Sequence, residues 1–443
     1  MIKINLIFRT KSINFLSFIL LVMIIFFANV SAFKLDEYSA QPLTDLEKYI
    51  NESPSVAAFG TNVHVVWNTW INSSVSEIYY KKSLDNGNSW ENLTRLTYNT
   101  TQAIYPVISV FESTIHVAWK DFRNGNPEIY YVNSFDNGNT WNSPIRLTYN
   151  SSRSTNIYDI SIASDDTHVY VIWKDYRSGS SEIFFKRSIN KGKTWFDDQR
   201  LTTDYNPSYA PTFDFDKENI YVIFEDRDFK YNLDLLKSLD YGKTWSSKKH
   251  ILESNPSGTL KNPKVYIENK TLYLVWEDDR SGNSLIYFCK SFDNGESWKD
   301  IQQITSSSTC SRNPNIYVSN DNILVIWREQ KNGSFNAYYK TSSDRGKNWS
   351  EISNVTSNMN CYDIMFTGES NNIHIVWQDC PEPYYGDIWH MSNISYKPDT
   401  KPSPENNLIK NTPGFEFKIF LSVIFSLLLT KTIRLKKIKN KKR

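Results

Sequence analysis

The stretch SLDNGNSW at residues 83–90 is the first of six copies of one pattern, and this pattern decides the fold. The other copies are SFDNGNTW at 134–141, SINKGKTW at 188–195, SLDYGKTW at 238–245, SFDNGESW at 291–298 and SSDRGKNW at 342–349. Their final tryptophans lie 51, 54, 50, 53 and 51 residues apart, so the chain is built from repeated modules of nearly constant length.

The pattern predicts a tight turn between two strands. Its Gly permits a positive φ, its Asp accepts backbone N–H groups of the turn, and its Trp packs back between sheets. We therefore predict a structural role for the third position of each copy, where the third module has Asn as a neutral substitute. These residues are Asp85, Asp136, Asn190, Asp240, Asp293 and Asp344.

A second pattern, a short apolar run ending in an aromatic residue, precedes each turn and predicts a buried strand. Its seven copies end at Trp67, Trp119, Trp173, Phe224, Trp276, Trp327 and Trp377. A third strand follows, as at 128–134, and a fourth comes after the turn, as at 145–148. Only six modules supply a fourth strand, and residues 40–44 (AQPLT) resemble the seventh. We predict an all-β, seven-bladed β-propeller of four-stranded blades closed by this N-terminal strand, with six blades as the alternative.

Over residues 33–396 the chain resembles the Asp-box, or BNR-repeat, β-propellers, the group that includes the sialidases. The resemblance implies that the loops leading into the first strand and those between the second and third strands gather on one face, opposite the Asp-box turns. Function is therefore expected in those loops. Sialidases also carry an Arg-Ile-Pro motif ahead of the first blade, and the sequence lacks it. The resemblance therefore carries over the architecture but no catalytic residue.

Charge is distributed unevenly along the chain. The first 32 residues carry +3 and the last 29 carry +8, which leaves −9 for residues 33–414 of a chain whose net formal charge is +2. An acidic body argues against a nucleic-acid partner, because no basic surface would meet the phosphates.

Both ends of the sequence carry address signals. Residues 1–32 predict a signal peptide, with a basic start, an apolar run and a Val-Ser-Ala end. Residues 397–414 form a linker rich in Pro, Lys and Asn, and residues 415–443 combine an apolar run with a basic tail. This layout, with Pro-Gly-Phe at 413–415, resembles the archaeal PGF-type sorting signals, which implies a lipid anchor. A retained transmembrane span is the alternative. We predict an exported, membrane-anchored cell-surface protein, and ten Asn-x-Ser/Thr sequons agree with a glycosylated surface.

Departures from the repeat mark candidate site residues. At the start of the first strand, five modules have Pro54, Pro106, Pro211, Pro263 and Pro314, whereas modules three and seven are predicted to place Asp159 and Asp363 there. Neighbouring positions hold Tyr105, Tyr158, Tyr209, Lys261, Arg312 and Tyr362. Two carboxylates among phenols and cations suit a binding funnel, and the two acids are the candidates for glycoside hydrolysis. The catalytic residues stay unknown at this point.

Other conspicuous residues receive structural interpretations. Twelve of the fourteen tryptophans fall on the two repeated positions, and Trp70, expected in the loop after the second strand of module one, is the one candidate for ligand contact. Recurring Asp/Arg pairs such as Asp121 and Arg123 are expected to link a strand end to its loop. Cys310 and Cys361 precede adjacent modules and could form a disulfide. No metal-ligand spacing and no cofactor motif are visible.

Two functions remain open. The first is an exported, monomeric propeller that binds extracellular glycans or surface proteins without a complete catalytic set. The alternative is a sialidase-like exo-glycosidase that acts on extracellular glycans. We favour binding, because no complete catalytic set emerges from the sequence.

Overall fold

The protein is described as a computed structural model. The structure describes residues 40–44, 49–98, 100–149, 157–203, 206–227, 230–254, 258–306, 310–331, 334–356, 361–370, 372–380 and 386–392. The signal peptide predicted at 1–32, the linker at 397–414 and the anchor at 415–443 lie outside these residues. Within the described ranges every regular element is a β-strand, and no helix is long and apolar enough to cross a membrane.

Twenty-eight strands form seven four-stranded antiparallel sheets, the blades. The first strands of blades one to seven are β2 (Ile50–Phe59), β6 (Ala103–Phe111), β10 (Ile157–Ser164), β14 (Ser208–Asp216), β18 (Leu260–Glu268), β22 (Ser311–Ser319) and β26 (Cys361–Glu369). The second strands are β3 (Asn62–Asn72), β7 (Thr114–Asp121), β11 (Val169–Asp175), β15 (Asn219–Arg227), β19 (Thr271–Asp278), β23 (Asn322–Lys331) and β27 (Asn372–Asp379).

The outer strands are shorter. The third strands are β4 (Val75–Ser83), β8 (Glu128–Ser134), β12 (Glu182–Ser188), β16 (Tyr231–Ser238), β20 (Leu285–Ser291), β24 (Ser334–Ser342) and β28 (Asp387–Ser392). The fourth strands are β5 (Thr94–Arg95), β9 (Ile145–Arg146), β13 (Gln199–Arg200), β17 (Lys249–Leu252), β21 (Lys299–Gln303), β25 (Ser353–Asn354) and, in blade seven, β1 (Gln41–Pro42). Each blade contacts the next, and blade seven contacts blade one, so the seven-bladed prediction is confirmed and the six-bladed alternative is wrong.

The N-terminal segment closes the ring as predicted. Strand β1 pairs with β28, and the N–H of Leu43 donates to the carbonyl of Ile388 at 2.7 Å. Thr44 donates its hydroxyl to Asp387 Oδ1 at 2.7 Å and accepts the N–H of Ile388 at 3.0 Å. Thr148 makes the same two bonds within blade two, to Glu128 and Ile129. The closing segment therefore reproduces the side-chain chemistry of an ordinary fourth strand.

The Asp-box turns are satisfied internally, in agreement with their predicted structural role. In blade two, Asp136 Oδ1 accepts the N–H of Thr140 and the hydroxyl of Ser134, each at 2.8 Å, and Oδ2 accepts the hydroxyl of Thr140 at 2.6 Å. These bonds to the ionised form lower the pKa of Asp136 to about 2. In the third box Asn190 accepts the N–H of Thr194 at 2.9 Å, so the neutral substitute keeps the turn.

The glycine of each box fits against the preceding blade. A Cβ on Gly138, whose φ is +76°, would lie 2.1 Å from Tyr80 Oη of blade one, and Gly87 meets His390 of blade seven in the same way. The box tryptophan lies beside this contact: Trp141 stands edge-on to Tyr80 with ring centroids 4.9 Å apart. The box tryptophans are only half-buried, whereas the six tryptophans that end second strands are fully buried between the blades.

Candidate functional site

The first strand of every blade carries a bulge near its start. One residue in each bulge has a positive φ of 44–55°, although none of the seven is glycine. These residues are Ser53, Tyr105, Asp159, Ala210, Asn262, Asn313 and Asp363. A left-handed conformation costs a non-glycine residue of order 1 kcal/mol and is concentrated at functional sites. The bulges therefore form a ring of strained positions.

The pairing register corrects the alignment expected from the sequence. The prolines Pro54 and Pro106 are matched in blades three and seven by Ile160 and Ile364, because Asp159 and Asp363 lie one position earlier, in the bulge itself. Tyr105 shares that bulge position. Tyr158, Tyr209, Lys261, Arg312 and Tyr362 occupy the preceding position, with Glu52 and Ile104 in blades one and two. The prediction was off by one because the Tyr-Asp pairs at 158–159 and 362–363 look like the Tyr-Pro pair at 105–106, whereas the register aligns Asp159 and Asp363 with Tyr105 itself.

The seven strand starts enclose a central space, which we call the funnel. A cavity of about 340 Å³ is lined by Asp159, Asp363, Tyr105 and Lys264, among other residues of the first strands. A second cavity of about 240 Å³ adjoins it and includes Ala210 and Pro211 of β14, so that all seven blades contribute residues to one cavity or the other. The structure thus brings both predicted acids and Tyr105 into one cavity.

A second ring lies on the second strands, at the residue directly after the buried aromatic. Its members include amides, acids and cations: Asn68, Lys120, Lys174, Glu225, Glu277, Arg328 and Gln378. Three of them accept the backbone N–H of the bulge residue in the next blade. Asn68 accepts from Tyr105 at 3.3 Å, Glu225 from Asn262 at 2.9 Å and Glu277 from Asn313 at 2.6 Å. In blades two, three and six this position holds a Lys or Arg, whose side chain cannot accept the backbone N–H of the bulge residue. These three blades therefore place a positive charge behind the bulge.

The cations of blades two and three converge on Asp159. Lys174 Nζ lies 2.8 Å from Asp159 Oδ2. Lys120 Nζ lies 4.2 Å from the ring centroid of Tyr158, and Lys174 Nζ lies 4.9 Å from the same ring and 5.1 Å from that of Tyr209. Burial, together with the nearby charge of Lys174, lowers the pKa of Lys120 to about 8. We call Lys120, Lys174 and Lys264, with Asp159, the lysine cluster.

Asp363 has different neighbours. Its carboxylate faces the water of the cavity, and the hydroxyl of Ser53 donates to Oδ2 at 3.5 Å. Desolvation by the surrounding protein raises the pKa of Asp363, and the charge of Arg328 opposes the shift. The guanidinium of Arg328 in turn stacks 4.6 Å from the ring of Phe335 and 5.6 Å from that of Tyr362. The two acids therefore have unlike electrostatic surroundings.

Trp70 lies in strand β3 rather than in the predicted loop, because the second strand of blade one is longer than the pattern indicates. Its indole N–H donates to Glu52 Oε2 at 2.8 Å. Trp70, Glu52, Tyr49 and Ile71 line a further cavity of about 490 Å³, separate from the central one. Trp70 therefore belongs to the wall of blade one and not to the cavity that holds the two acids.

The remaining candidates are placed individually. Lys261 lies 3.5 Å from Asp279, and Arg312 is exposed and pairs in register with Arg328. Tyr105 is 51% exposed and Tyr158 37%, so both offer ring surface to the funnel.

The recurring arginines serve the fold. Asp121 accepts the guanidinium of Arg123 at 2.7 Å and the indole N–H of Trp119 at 2.8 Å, and the pair formed by Arg177 and Asp175 repeats this arrangement. These arginines are engaged at the ends of their strands, as expected from their repetition.

The cysteines do not follow the predicted pairing. All four are free, and the residue of blade six that corresponds to Cys361 in register is Ser311, one position after Cys310. The sequence alignment matched Cys361 with Cys310, whereas the strand register matches it with Ser311. Within the described ranges, no group of three or more His, Cys, Asp or Glu side chains could hold a metal ion.

The chain resembles known proteins in part of its sequence and in its fold. Residues 223–367 match the BNR repeat-like domain family. No curated protein matches the sequence significantly. Polysaccharide lyase Uly1 is similar in structure at 8% identity, with a TM-score of 0.59 over 81% of this chain and 99% of the lyase. A PL25 ulvan lyase bound to -[GlcA(1-4)Rha3S]- is similar at 11% identity, with a TM-score of 0.55 over 81% and 95% of the two chains.

The intramolecular trans-sialidase from Ruminococcus gnavus, in complex with oseltamivir carboxylate, matches at 13% identity and a TM-score of 0.44, over 78% of this chain and 94% of the enzyme. At these identities the likenesses concern the fold alone. The six Asp-box turns, the seven four-stranded blades and the family match agree with one another. The chain is therefore a seven-bladed β-propeller, and its residues 223–367 match the BNR repeat-like domain family.

Proposed function

We propose that this chain is an exported, surface-anchored propeller whose funnel binds a glycan. The observation that carries the proposal is the contrast within the strand starts. Seven blades share one backbone bulge, yet its seven positions hold five residue types, and six of these residues line one open cavity. If these positions served only the fold, we would expect the same residue types to recur in each blade, as they do in the Asp-box turns.

Glycans are the ligand class that suits these side chains best. Sugar rings present apolar C–H faces and a rim of hydroxyl groups, so they bind where aromatic faces lie beside charged or amide groups. The exposed ring of Tyr105 and the side chains of Asn262, Asn313 and Asp363 supply both kinds of contact within one cavity. Solved propellers of similar fold are described as polysaccharide lyases, which supports a glycan over a surface protein.

The proposed location rests on the sequence of the two ends. The signal peptide at 1–32 would export the body, and the apolar segment within 415–443 would hold it at the membrane as a span or after replacement by a lipid. In that setting a glycan of the cell's own envelope or of its surroundings would reach the funnel directly.

Hydrolysis is the second candidate, and the unlike surroundings of the two acids favour it. A glycosidase needs one carboxyl that keeps its proton and one that stays ionised. The raised pKa of Asp363 suits the acid, and the ammonium of Lys174 beside Asp159 suits a carboxylate. Binding is preferred because the carboxylate of Asp159 is already engaged by that ammonium, and no third group completes a catalytic set among the described residues.

The test is a glycan array combined with a screen of fluorogenic glycosides, on the full chain in a polyoxyethylene detergent that carries no sugar. We expect binding to a defined set of glycans without turnover. Turnover that is lost in both Asp159→Asn and Asp363→Asn would replace the binding proposal by the glycosidase. Absence of binding to every glycan on the array would overturn the proposed function.

A further inference from the structure

We propose that Lys120 and Lys174, on adjacent blades, form a subsite for an anionic substituent of the ligand, a carboxylate or a sulfate. The inference deepens the proposed glycan binding and rests on it. Neither lysine was a candidate from the sequence, where each looks like a solvated charge between a core Trp and a structural Asp.

The position of Lys120 is the first step. The residue as a whole is only 3% exposed, and no ion pair joins its amine to an acidic side chain among the described residues. Its contacts are aromatic rings, with Nζ 4.2 Å from the centroid of Tyr158 and 5.1 Å from that of Phe122. A lysine with a buried stem and an unpaired ammonium group is stabilised by an anionic partner. That partner is the role that we assign to the ligand.

The charge balance is the second step. The charged groups that face Lys120 are Lys174 and Asp159, from the neighbouring blade. Lys264, from blade five, also faces Asp159 and lines the same cavity. The adjacent Asp121, on the same strand as Lys120, is engaged by Arg123 and Trp119. Three amines thus share one free carboxylate, and Asp159 is already held by Lys174 at 2.8 Å. One more negative charge fits the cluster.

The aromatic neighbours are the third step. Both lysines lie against the ring of Tyr158, and the centroid of Tyr209 lies 5.1 Å from Lys174 Nζ and 3.9 Å from the guanidinium of Arg227. These cation–π contacts hold the amines in place. An anionic group of a sugar would then meet two amines whose positions are already fixed.

A dependence on pH follows. The ligand requires the ammonium form of Lys120, whose pKa without ligand is about 8. Below pH 7 the amine is charged and binding is at full strength. Between pH 7 and pH 9 the population of the ammonium form falls by roughly tenfold, and the affinity for an anionic ligand falls with it. A neutral ligand shows no such dependence.

The experiment compares two pairs of probes on the full chain in the sugar-free detergent. The pairs are oligogalacturonate with its methyl ester, and dextran sulfate with dextran, so that a carboxylate and a sulfate are tested separately. We expect one charged probe to bind at least tenfold more tightly than its uncharged partner at pH 6.5. That preference should shrink roughly tenfold by pH 9.

Variants separate the subsite from general attraction. Lys120→Met should weaken binding of the charged probe about ten- to hundredfold. Lys120→Arg keeps the charge and should remove the loss between pH 7 and pH 9, because arginine stays protonated. The exposed Lys243, on the opposite face, serves as the matched control, and Lys243→Met should change nothing. Thermal melting of each variant verifies folding.

The outcomes distinguish the two proposals. Equal binding of charged and uncharged probes, no binding of either charged probe, or a pH dependence that persists in Lys120→Arg would overturn the anionic subsite. Binding of neutral array glycans would leave the glycan-binding proposal standing in each of these cases. A chain that binds no glycan at all would overturn both.

Discussion

The two faces of the propeller follow opposite rules. On the Asp-box face the same residues recur from blade to blade, and their polar groups are satisfied within the turn, as the three bonds to Asp136 illustrate. On the funnel face the backbone recurs, with one bulge in every first strand, while the side chains at the bulge and behind it differ in each blade. Side chains that recur from blade to blade therefore indicate contacts that hold the blades together. Side chains that vary on a recurring backbone indicate where a ligand is expected.

The two faces also differ in what their positions of positive φ hold. Each box turn has two such positions, a non-glycine residue such as Asn137 and then a glycine that lies against the neighbouring blade with no space for a side chain. Each bulge of the funnel has one, and it keeps a side chain, which is Tyr, Asp, Asn, Ser or Ala. Substitutions on the first face should therefore change stability, and substitutions on the second should change binding.

The largest expected effect is on the Asp-box face. Gly138→Ala adds a methyl group 2.1 Å from the hydroxyl of the buried Tyr80 and also strains the backbone. We expect the free energy of unfolding to fall by about 2–4 kcal/mol. Gly125 is the matched control, since its φ is +83° but its Cβ would meet nothing within 4 Å. Gly125→Ala should cost about 1 kcal/mol, the backbone strain alone. Urea unfolding of both variants measures the difference, and equal losses would show that the contact between blades contributes nothing.

Blade four tests whether every break in the repeat serves a ligand. It has Phe224 in place of the core Trp, and the buried Asp226 of its second strand and Asp234 of its third strand lie against Lys248. Burial, and contact with Asp226, raise the pKa of Asp234 to about 7, although His250 opposes the shift. The unfolded chain releases this proton near pH 4, so stability falls as the pH rises from about 4 to 7.

Asp234→Asn removes this titration. Between pH 5 and pH 8 the parent should lose about 1–3 kcal/mol of unfolding free energy that the variant does not lose. The variant should therefore gain stability relative to the parent by this amount as the pH rises. The exposed Asp166, paired with Lys191 on the surface, provides a control in which Asp166→Asn should show little such movement. Denaturation at the two pH values gives the difference. A constant difference would mean that Asp234 holds no proton at pH 5.

A funnel substitution should show the opposite pattern. Tyr158→Ala removes the ring that faces Lys120 and Lys174, and we expect the affinity for the glycan to fall about tenfold. Its unfolding free energy should change by less than that of Gly138→Ala, since the ring is partly exposed. Tyr149, which is 74% exposed outside the funnel, is the aromatic control, and Tyr149→Ala should leave binding unchanged. Titration of both variants with the array glycan that binds most tightly measures the two affinities. An equal loss of affinity in both variants would show that Tyr158 is not part of the site.

The sequence was sufficient for the fold but not for the site. The tryptophan spacing and the missing fourth strand were enough to predict seven blades and the closing role of residues 40–44, because both depend on patterns that repeat. The sequence misplaced Asp159 and Asp363 by one position, because each follows a Tyr as Pro106 does, and only the strand register shows which residue lies in the bulge. Lys120 and Lys174 were missed because burial of a charged residue next to a strand end cannot be inferred from its type. The sequence did offer one indication of these lysines, because the residue that follows the core aromatic varies from module to module although its neighbours repeat.

The smallest expected effect returns to the Asp-box face, in the one box that lacks an acid. Asn190 Nδ2 donates to the hydroxyl of Thr194 at 2.8 Å, whereas the corresponding Asp136 Oδ2 accepts the hydroxyl of Thr140 at 2.6 Å. In Asn190→Asp the hydroxyl rotates to donate, and a charge-assisted bond replaces a neutral one. Solvent screens this exposed turn, so we expect a gain of at most about 0.5 kcal/mol at pH 7. Bonds to the ionised form lower the folded-state pKa of such a carboxyl, as they do in Asp136, so the gain should be lost as the pH falls from about 4 to 2. Thermal melts of the variant and the parent at pH 7 and pH 3 measure it, and a gain of equal size at both would show that charge in the turn is not its source.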